Sequence, residues 1–147
     1  MDVTIRHAAP EDKSEWLRMR LALWPHGTEV DFSYDMDRLL ASLDDAIFFA
    51  SRADGSLCGF LEAGTRDYGE GCETSPVGYI EGWYVDEDMR RQGIGGMLFR
   101  AAEDWARTKG YREMASDTWL ENEGSIAAHL KLGYEEAERL VHFVKRL

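Results

Sequence analysis

The residues with the most chemical content lie in Tyr84-Val85-Asp86-Glu87-Asp88-Met89-Arg90-Arg91-Gln92-Gly93-Ile94-Gly95-Gly96-Met97-Leu98. This stretch reads as the end of an apolar strand, an acidic turn, two arginines, a glycine-rich bend and the start of an amphipathic helix. Such a loop leaves backbone N–H groups unpaired at the positive end of a helix dipole, which suits phosphate. Glycine lets the backbone approach a ligand closely and take positive φ. Arg90 and Arg91 supply charge that neutralises phosphate. The alternative is a basic turn that eases a helix start.

Spacing narrows the choice of anion. A lysine-tipped nucleotide loop needs Gly-Lys-Ser/Thr, and only Met97 follows Gly95-Gly96. The dinucleotide fingerprint needs a third glycine, which Gly93-Ile94-Gly95-Gly96-Met97-Leu98 lacks. The pattern that fits is R-x-x-G-x-G, on Arg90, Gly93 and Gly95.

The elements that must hold this loop are legible from hydrophobic period and punctuation. Val3–His7 reads as a strand. A helix opens at Pro10-Glu11-Asp12, carries Trp16, Leu17, Met19, Leu21, Leu23 and Trp24, and stops at Pro25-His26-Gly27. A second helix is predicted from about Ser33 to Leu43, with Met36, Leu39, Leu40 and Leu43 on one face. Ile47–Ala50 is a buried strand, Asp54-Gly55 a hairpin turn, and Leu57–Arg66 the returning strand. A Gly-rich loop, Asp67–Pro76, leads to a strand over Val77–Val85. Ile94–Lys109 is the strongest helix, closed by Gly110. Arg112–Asp117 is predicted as a strand, Ser125–Leu132 as a helix closed by Gly133, and Glu136–Arg146 as a last strand or pair. The order predicts an α/β fold, a mixed twisted central sheet flanked by helices.

At 147 residues the chain suits one domain, residues 1–147, without disulfides or metals. Lys and Arg number 17 against 28 Asp and Glu, a formal charge of −11. Nucleic acid is therefore not an expected partner, whereas an acidic cleft draws in a cationic substrate. Cys58 and Cys72 have no metal-ligand spacing, so no metal is expected. Absence of a long apolar run or a leader pattern points to a cytoplasmic protein with no membrane association.

The Arg90 to Gly95 motif and the element order together resemble the GNAT family of acyl-CoA-dependent N-acetyltransferases over nearly the whole chain. Leu23-Trp24-Pro25, Glu73-Thr74-Ser75-Pro76-Val77-Gly78, Glu81-Gly82, Glu113-Met114-Ala115-Ser116-Asp117-Thr118 and Gly133-Tyr134-Glu135-Glu136-Ala137-Glu138-Arg139 resemble its aminoglycoside 6'-N-acetyltransferase branch. The resemblance implies a GNAT fold, acetyl-CoA as co-substrate, an aminoglycoside or other polycationic amine as acceptor, and a homodimer. In that branch the C-terminal strand Val141-His142-Phe143-Val144 would pair or pack across a two-fold. Two rivals remain: a GNAT enzyme for another amine, such as a polyamine or protein N-terminus, and a non-catalytic acyl-CoA-binding module.

Carried over residue by residue, Trp83, Tyr84 and Val85 contact the acetyl and pantetheine portion, with the Val85 N–H polarising the thioester carbonyl. Arg90, Arg91, Gln92, Gly93, Ile94, Gly95 and Gly96 cradle the pyrophosphate, and Asn122 bonds the pantetheine arm unless it is only a cap. Glu81 and Asp117 bind the acceptor amine alongside Trp24, His26, Tyr68 and Glu138, and either carboxylate can accept its proton through water. Glu81 lies in the apolar run Tyr79-Ile80-Glu81-Gly82-Trp83, where a carboxylate is costly unless it faces a polar site or a partner. Strand alternation predicts that it shares a face with Trp83. His26 stands one residue out of register with the branch's histidine. His129 replaces the tyrosine that many GNAT enzymes use to protonate the departing thiolate; its alternative role is structural.

Overall fold

The computed structural model describes residues 2–147. Its elements are β1 (Thr4–His7), α1 (Lys13–Leu23), α2 (Glu29–Ala41), β2 (Ala46–Ser51), β3 (Leu57–Arg66), β4 (Val77–Val85), α3 (Ile94–Thr108), β5 (Met114–Ser116) and α4 (Glu123–Lys131). The strands form one sheet in the order β1-β2-β3-β4-β5, antiparallel except for the parallel β4–β5 pair. This is the mixed α/β sheet the sequence predicts.

Each face of the sheet carries its own core. On one side α3 buries Ile94, Leu98, Phe99, Ala102 and Ala106 against Phe48, Cys58, Leu61 and Ile80, the stripe that a 3.6-residue period produces. On the other, α1 and α2 bury Trp16, Met19, Met36 and Leu39 against Ile47, Phe49 and Phe60. The stripe of α1 also buries a cation, Arg20. Its guanidinium lies over the rings of Trp16, Trp24 and Phe32 at 5.6, 5.2 and 5.0 Å. It donates twice to Glu62 of β3 at 2.6 Å, and Trp16 Nε1 donates to the same carboxylate at 2.9 Å. A buried carboxylate is tolerable here because three donors, two of them from a cation, meet its oxygens.

Three sequence-based expectations are corrected. Helix α2 starts at Glu29, four residues before the predicted Ser33, because Thr28 is an N-cap whose hydroxyl accepts from the Asp31 N–H at 3.2 Å. The same helix ends at Ala41, which leaves Leu43 exposed rather than on its apolar face. Residues Glu136–Arg146 form no strand: β5, only three residues long, has no neighbour on its outer side, and Leu140, Val141, Phe143 and Val144 stand exposed. An edge of three residues is too short to hold this apolar segment as a paired strand.

Candidate active site

Between β4 and α3 the backbone makes a concave cradle. Arg91 has φ 63° and Gly93 φ 81°, two left-handed residues separated by one, the conformation that turns successive N–H groups to one side. A left-handed arginine costs about 1–2 kcal/mol, so the turn is held by its surroundings. The amides from Arg91 to Gly96 have no acceptor among the described residues, whereas Arg90 N–H donates to Glu87 at 3.4 Å and Met97 N–H to Gly93 at 3.1 Å. The cradle is fixed from behind by charges the sequence reading did not single out. Asp86 takes Arg18 at 2.9 Å and Arg52 at 3.2 Å, and Asp88 takes Arg52 at 2.8 Å. These hydrogen bonds hold both guanidiniums above their ordinary pKa, and Arg52 draws the Asp88 carboxyl below its own.

Arg90 also ties the cradle to β4. Its Nε donates to the Val85 carbonyl at 2.8 Å and its guanidinium lies 5.6 Å from the Tyr84 ring. It braces the end of β4, and Arg90, Arg91 and Gln92 are all exposed in the loop.

Ladder geometry locates the free amides of β4. Asp86 N–H donates to Cys58 C=O at 2.7 Å, so these two face each other as a hydrogen-bonded pair. Pairs alternate along an antiparallel ladder, so the N–H groups of Val85 and, two residues earlier, Trp83 point away from β3. On that side β5 pairs with β4 only at Gly78–Ile80 and then departs. The two amides therefore face a gap that continues into the cradle, as the carried-over roles of Trp83 and Val85 require. Gly95 completes it, since a Cβ there would lie 2.7 Å from the Trp83 ring.

A β-bulge in β4 separates this edge from a charged patch. Glu62 faces Gly82 and Ala63 faces Ile80, so Glu81 is the extra residue. The bulge breaks strand alternation and corrects the expectation of a shared face. Trp83 packs on Phe99 of α3, while the Glu81 carboxylate lies near Gly64 on the α1/α2 face. There it meets Arg66, which donates through Nε at 2.9 Å and Nη2 at 2.6 Å. The Arg66 guanidinium lies 3.5 Å from the centroid of the Tyr79 ring, and the Tyr79 hydroxyl donates to Asp117 at 2.7 Å. Burial and the Asp117 carboxylate push that hydroxyl well above the ordinary tyrosine pKa. Glu81 and Asp117 are thus joined through Arg66 and Tyr79, neither of which the sequence reading selected.

The remaining candidates divide. Trp24 borders the patch: a Cβ on Gly82 would lie 2.4 Å from its indole. His26 and Tyr68 are exposed in the α1–α2 turn and in the loop after β3. Asn122 caps α4, its side-chain oxygen accepting from Ser125 N–H at 3.1 Å. His129 is held at both ring nitrogens, Nδ1 by the Ser125 carbonyl at 2.7 Å and Nε2 by the Ser116 hydroxyl at 2.8 Å. With Nδ1–H donating to a carbonyl, the neutral ring accepts at Nε2 from the Ser116 hydroxyl. Its ring packs between Phe99 and Tyr134 at 5.5 and 5.7 Å, so the geometry is that of a clamp between β5 and α4. Burial pushes the thiols of Cys58 and Cys72 up in pKa, which disfavours a thiolate nucleophile. Among the described residues no cluster of three or more His, Cys, Asp or Glu could hold a metal, and no helix is long and apolar enough to cross a membrane.

A second concavity of about 620 Å³ runs along the open side of β5, between α3, α4 and the C-terminal segment. Its walls include Asp117, His129 and Glu138 but not Glu81, so Glu138 shares a concavity with Asp117 and not with Glu81.

The Acetyltransferase (GNAT) family profile matches residues 14–134. An aminoglycoside N(6')-acetyltransferase type 1 of Stenotrophomonas maltophilia is 43% identical over 141 residues, 95% of this chain and 91% of the relative. The protein of the same name from Klebsiella aerogenes is 40% identical over 146 residues, covering 97% and 96%. The structure of AAC(6')-Iy with the bisubstrate analogue CoA-S-monomethyl-acetylneamine superposes with a TM-score of 0.94 at 36% identity, over 100% of both chains. AAC(6')-Ih from Acinetobacter baumannii superposes with a TM-score of 0.91 at 34% identity, over 99% of both.

Proposed function

This chain belongs to the GNAT acetyltransferase family, and from that premise we propose that it transfers the acetyl group of acetyl-CoA to the 6'-amine of aminoglycosides. The reading takes residues 1–147 as one catalytic domain acting by direct attack in a ternary complex. Acetyl-CoA fits the donor side: open amides from Arg91 to Gly96 for the pyrophosphate, and outward N–H groups of Trp83 and Val85 for the pantetheine arm and thioester. The chemistry is then amine attack on the thioester carbonyl, loss of the amine proton and breakage of the C–S bond. Val85 N–H is placed to stabilise charge on the carbonyl oxygen. Glu81 or Asp117 takes the proton through water. With His129 engaged at both nitrogens, the departing thiolate takes its proton from solvent.

The observation that carries the reading is the pair of carboxylates, Glu81 and Asp117, joined by Arg66 and Tyr79 beside the β4 gap. A polycationic amine meets two anionic anchors next to the thioester. The chain's excess of acidic residues adds long-range attraction. Acetylation converts the 6'-ammonium of the antibiotic into a neutral amide, and the reading includes antibiotic resistance as the consequence. It belongs in the cytoplasm, where acetyl-CoA is available.

The same reading makes the protein a homodimer. The exposed segment Val141-His142-Phe143-Val144 and the open edge of β5 are complementary features that a second copy can satisfy together. Light scattering at micromolar concentration should give twice the chain mass, and removal of residues 140–147 should return it to one.

Thiol release from acetyl-CoA tests the activity, with kanamycin or tobramycin, then spermidine, then a peptide as acceptor. Release with either aminoglycoside and not with the others is expected. Release with spermidine or peptide alone moves the protein to another amine, and binding of acetyl-CoA without release to any acceptor makes it a non-catalytic module.

A further inference from the structure

We infer that Arg66 is a specificity-determining residue of the acceptor site, a resident cation that occupies Glu81 until an acceptor with several ammonium groups displaces it. The inference rests on the aminoglycoside reading above and adds to it the means by which acceptors are sorted by charge.

The Arg66–Glu81 pair uses both carboxylate oxygens, at 2.9 and 2.6 Å, so Glu81 has no free ionic valence toward an incoming amine. The pair is not buried. Its side chains are 43% and 35% exposed, which leaves it open to an entering ligand. Exposed pairs of this kind contribute little net stability even with bidentate geometry, so a ligand that gains elsewhere can displace Arg66. Arg66 also has somewhere to go: its guanidinium already stacks on Tyr79, and the residue closes β3 before the Asp67–Pro76 loop.

The surroundings make a resident cation necessary. The Cβ position of Gly64 lies 2.8 Å from the Asp45 carboxylate and 3.6 Å from that of Glu81, so two carboxylates converge above a residue with no side chain. Asp117 is the third, across Tyr79. Without Arg66 this patch would bind any small cation or monoamine by charge alone. With Arg66 in place, one ammonium exchanges one cation for another and gains little. An acceptor with several ammonium groups can replace Arg66 at Glu81 and occupy Asp117 and Asp45 as well. Selection by a built-in repulsive element is a common route to specificity.

The test compares kcat/KM for kanamycin with kcat/KM for 6-amino-6-deoxyglucose, which presents a comparable primary amine on one sugar ring with one charge. The protein should prefer kanamycin strongly. Arg66→Met keeps the stem over Tyr79 and removes the charge, and the preference should shrink at least tenfold, mainly through a lower KM for the single-ring amine. Arg66→Lys should keep the preference within threefold of the parent. Acetyl-CoA affinity and thermal midpoint of both variants should match the parent, which separates the effect from misfolding. A preference that stays within threefold in Arg66→Met, or equal losses on both acceptors, overturns the inference while leaving the activity in place. Failure of the unaltered protein to acetylate kanamycin overturns the aminoglycoside reading instead.

Discussion

On one side of β4 the groups that face a ligand are main-chain amides, those of Trp83, Val85 and Arg91 to Gly96. On the α1/α2 side of the same strand they are side chains: Glu81, Arg66, Tyr79, Asp117 and, behind them, Arg20 and Glu62. The first set is positioned by local conformation. A left-handed Arg91, a left-handed Gly93 and a missing Cβ at Gly95 shape it, over the Asp86 and Asp88 pairs with Arg18 and Arg52 that hold the turn. The second is positioned by pairing between elements distant in the chain: Arg66 with Glu81, Tyr79 with Asp117, Arg20 with Glu62. The difference predicts opposite sensitivities. The donor side should fail when a side chain is added and tolerate changes of charge. The acceptor side should fail when a charge is removed and tolerate conservative changes of shape.

The largest effect should come from the buried pair behind the acceptor patch. Arg20→Leu leaves Glu62 buried with only Trp16 Nε1 as donor, and removing one partner of a buried ion pair costs about 3–5 kcal/mol. Urea unfolding should show that loss. The double replacement Arg20→Leu with Glu62→Leu should recover most of it, since the apolar rings already surrounding the pair accept a leucine. Recovery of less than about 1 kcal/mol would mean that the pair itself, not the orphaned charge, carries the stability.

Next in size are two variants that separate the sides. Glu81→Gln keeps shape and removes charge; kcat/KM for kanamycin should drop about 100-fold, the weight of a lost charge-assisted contact plus a lost proton acceptor. Acetyl-CoA affinity, measured by calorimetry, should stay within twofold. Gly95→Val does the reverse. Its side chain collides with Trp83, at 2.7 Å already from the Cβ, and acetyl-CoA affinity should weaken about 30-fold while the intact carboxylates still bind aminoglycoside. Equal effects of either variant on both ligands would erase the distinction between a backbone-made and a side-chain-made site.

The same distinction explains what the sequence made legible. A backbone cradle announces itself through glycine spacing, so Gly93 and Gly95 and the β4–α3 junction could be read directly, and the sheet followed from hydrophobic period. Arg66 and Tyr79 carry no such mark. An arginine at a strand end and a tyrosine in an apolar run have many ordinary uses, and only the pairing of β3 with β4 and of β4 with β5 brings them to Glu81 and Asp117. The bulge also moved Glu81 to the face opposite Trp83, because one inserted residue reverses the alternation that a sequence pattern assumes. Arg90 carries a contact that its motif position does not announce: its Nε closes on the Val85 carbonyl five residues back. The C-terminal segment is apolar as its sequence says but forms no strand, and the open edge it could pair with, that of β5, is only three residues long.

The smallest effect concerns His129, which sits where the two sides meet. If it were a proton donor to the thiolate, its Nε2 would have to carry a proton and face the gap. Instead Nε2 accepts from Ser116 on β5 while Nδ1 donates to the Ser125 carbonyl on α4, and the ring is packed against Phe99 and Tyr134. The imidazole fastens α4 to β5 at the point where β5 leaves β4. His129→Ala should therefore lower stability by about 1–2 kcal/mol, the cost of leaving a hydroxyl and a carbonyl without their partner in a half-buried site. Because the split between β4 and β5 is set by the strands themselves, kcat should change less than threefold and the acetyl-CoA KM less than twofold. His129→Asn can bond one of the two partners and should recover part of the stability without altering kcat. A tenfold loss of kcat in both variants at unchanged acetyl-CoA KM would instead make the ring a proton donor and give the donor side a side chain it depends on.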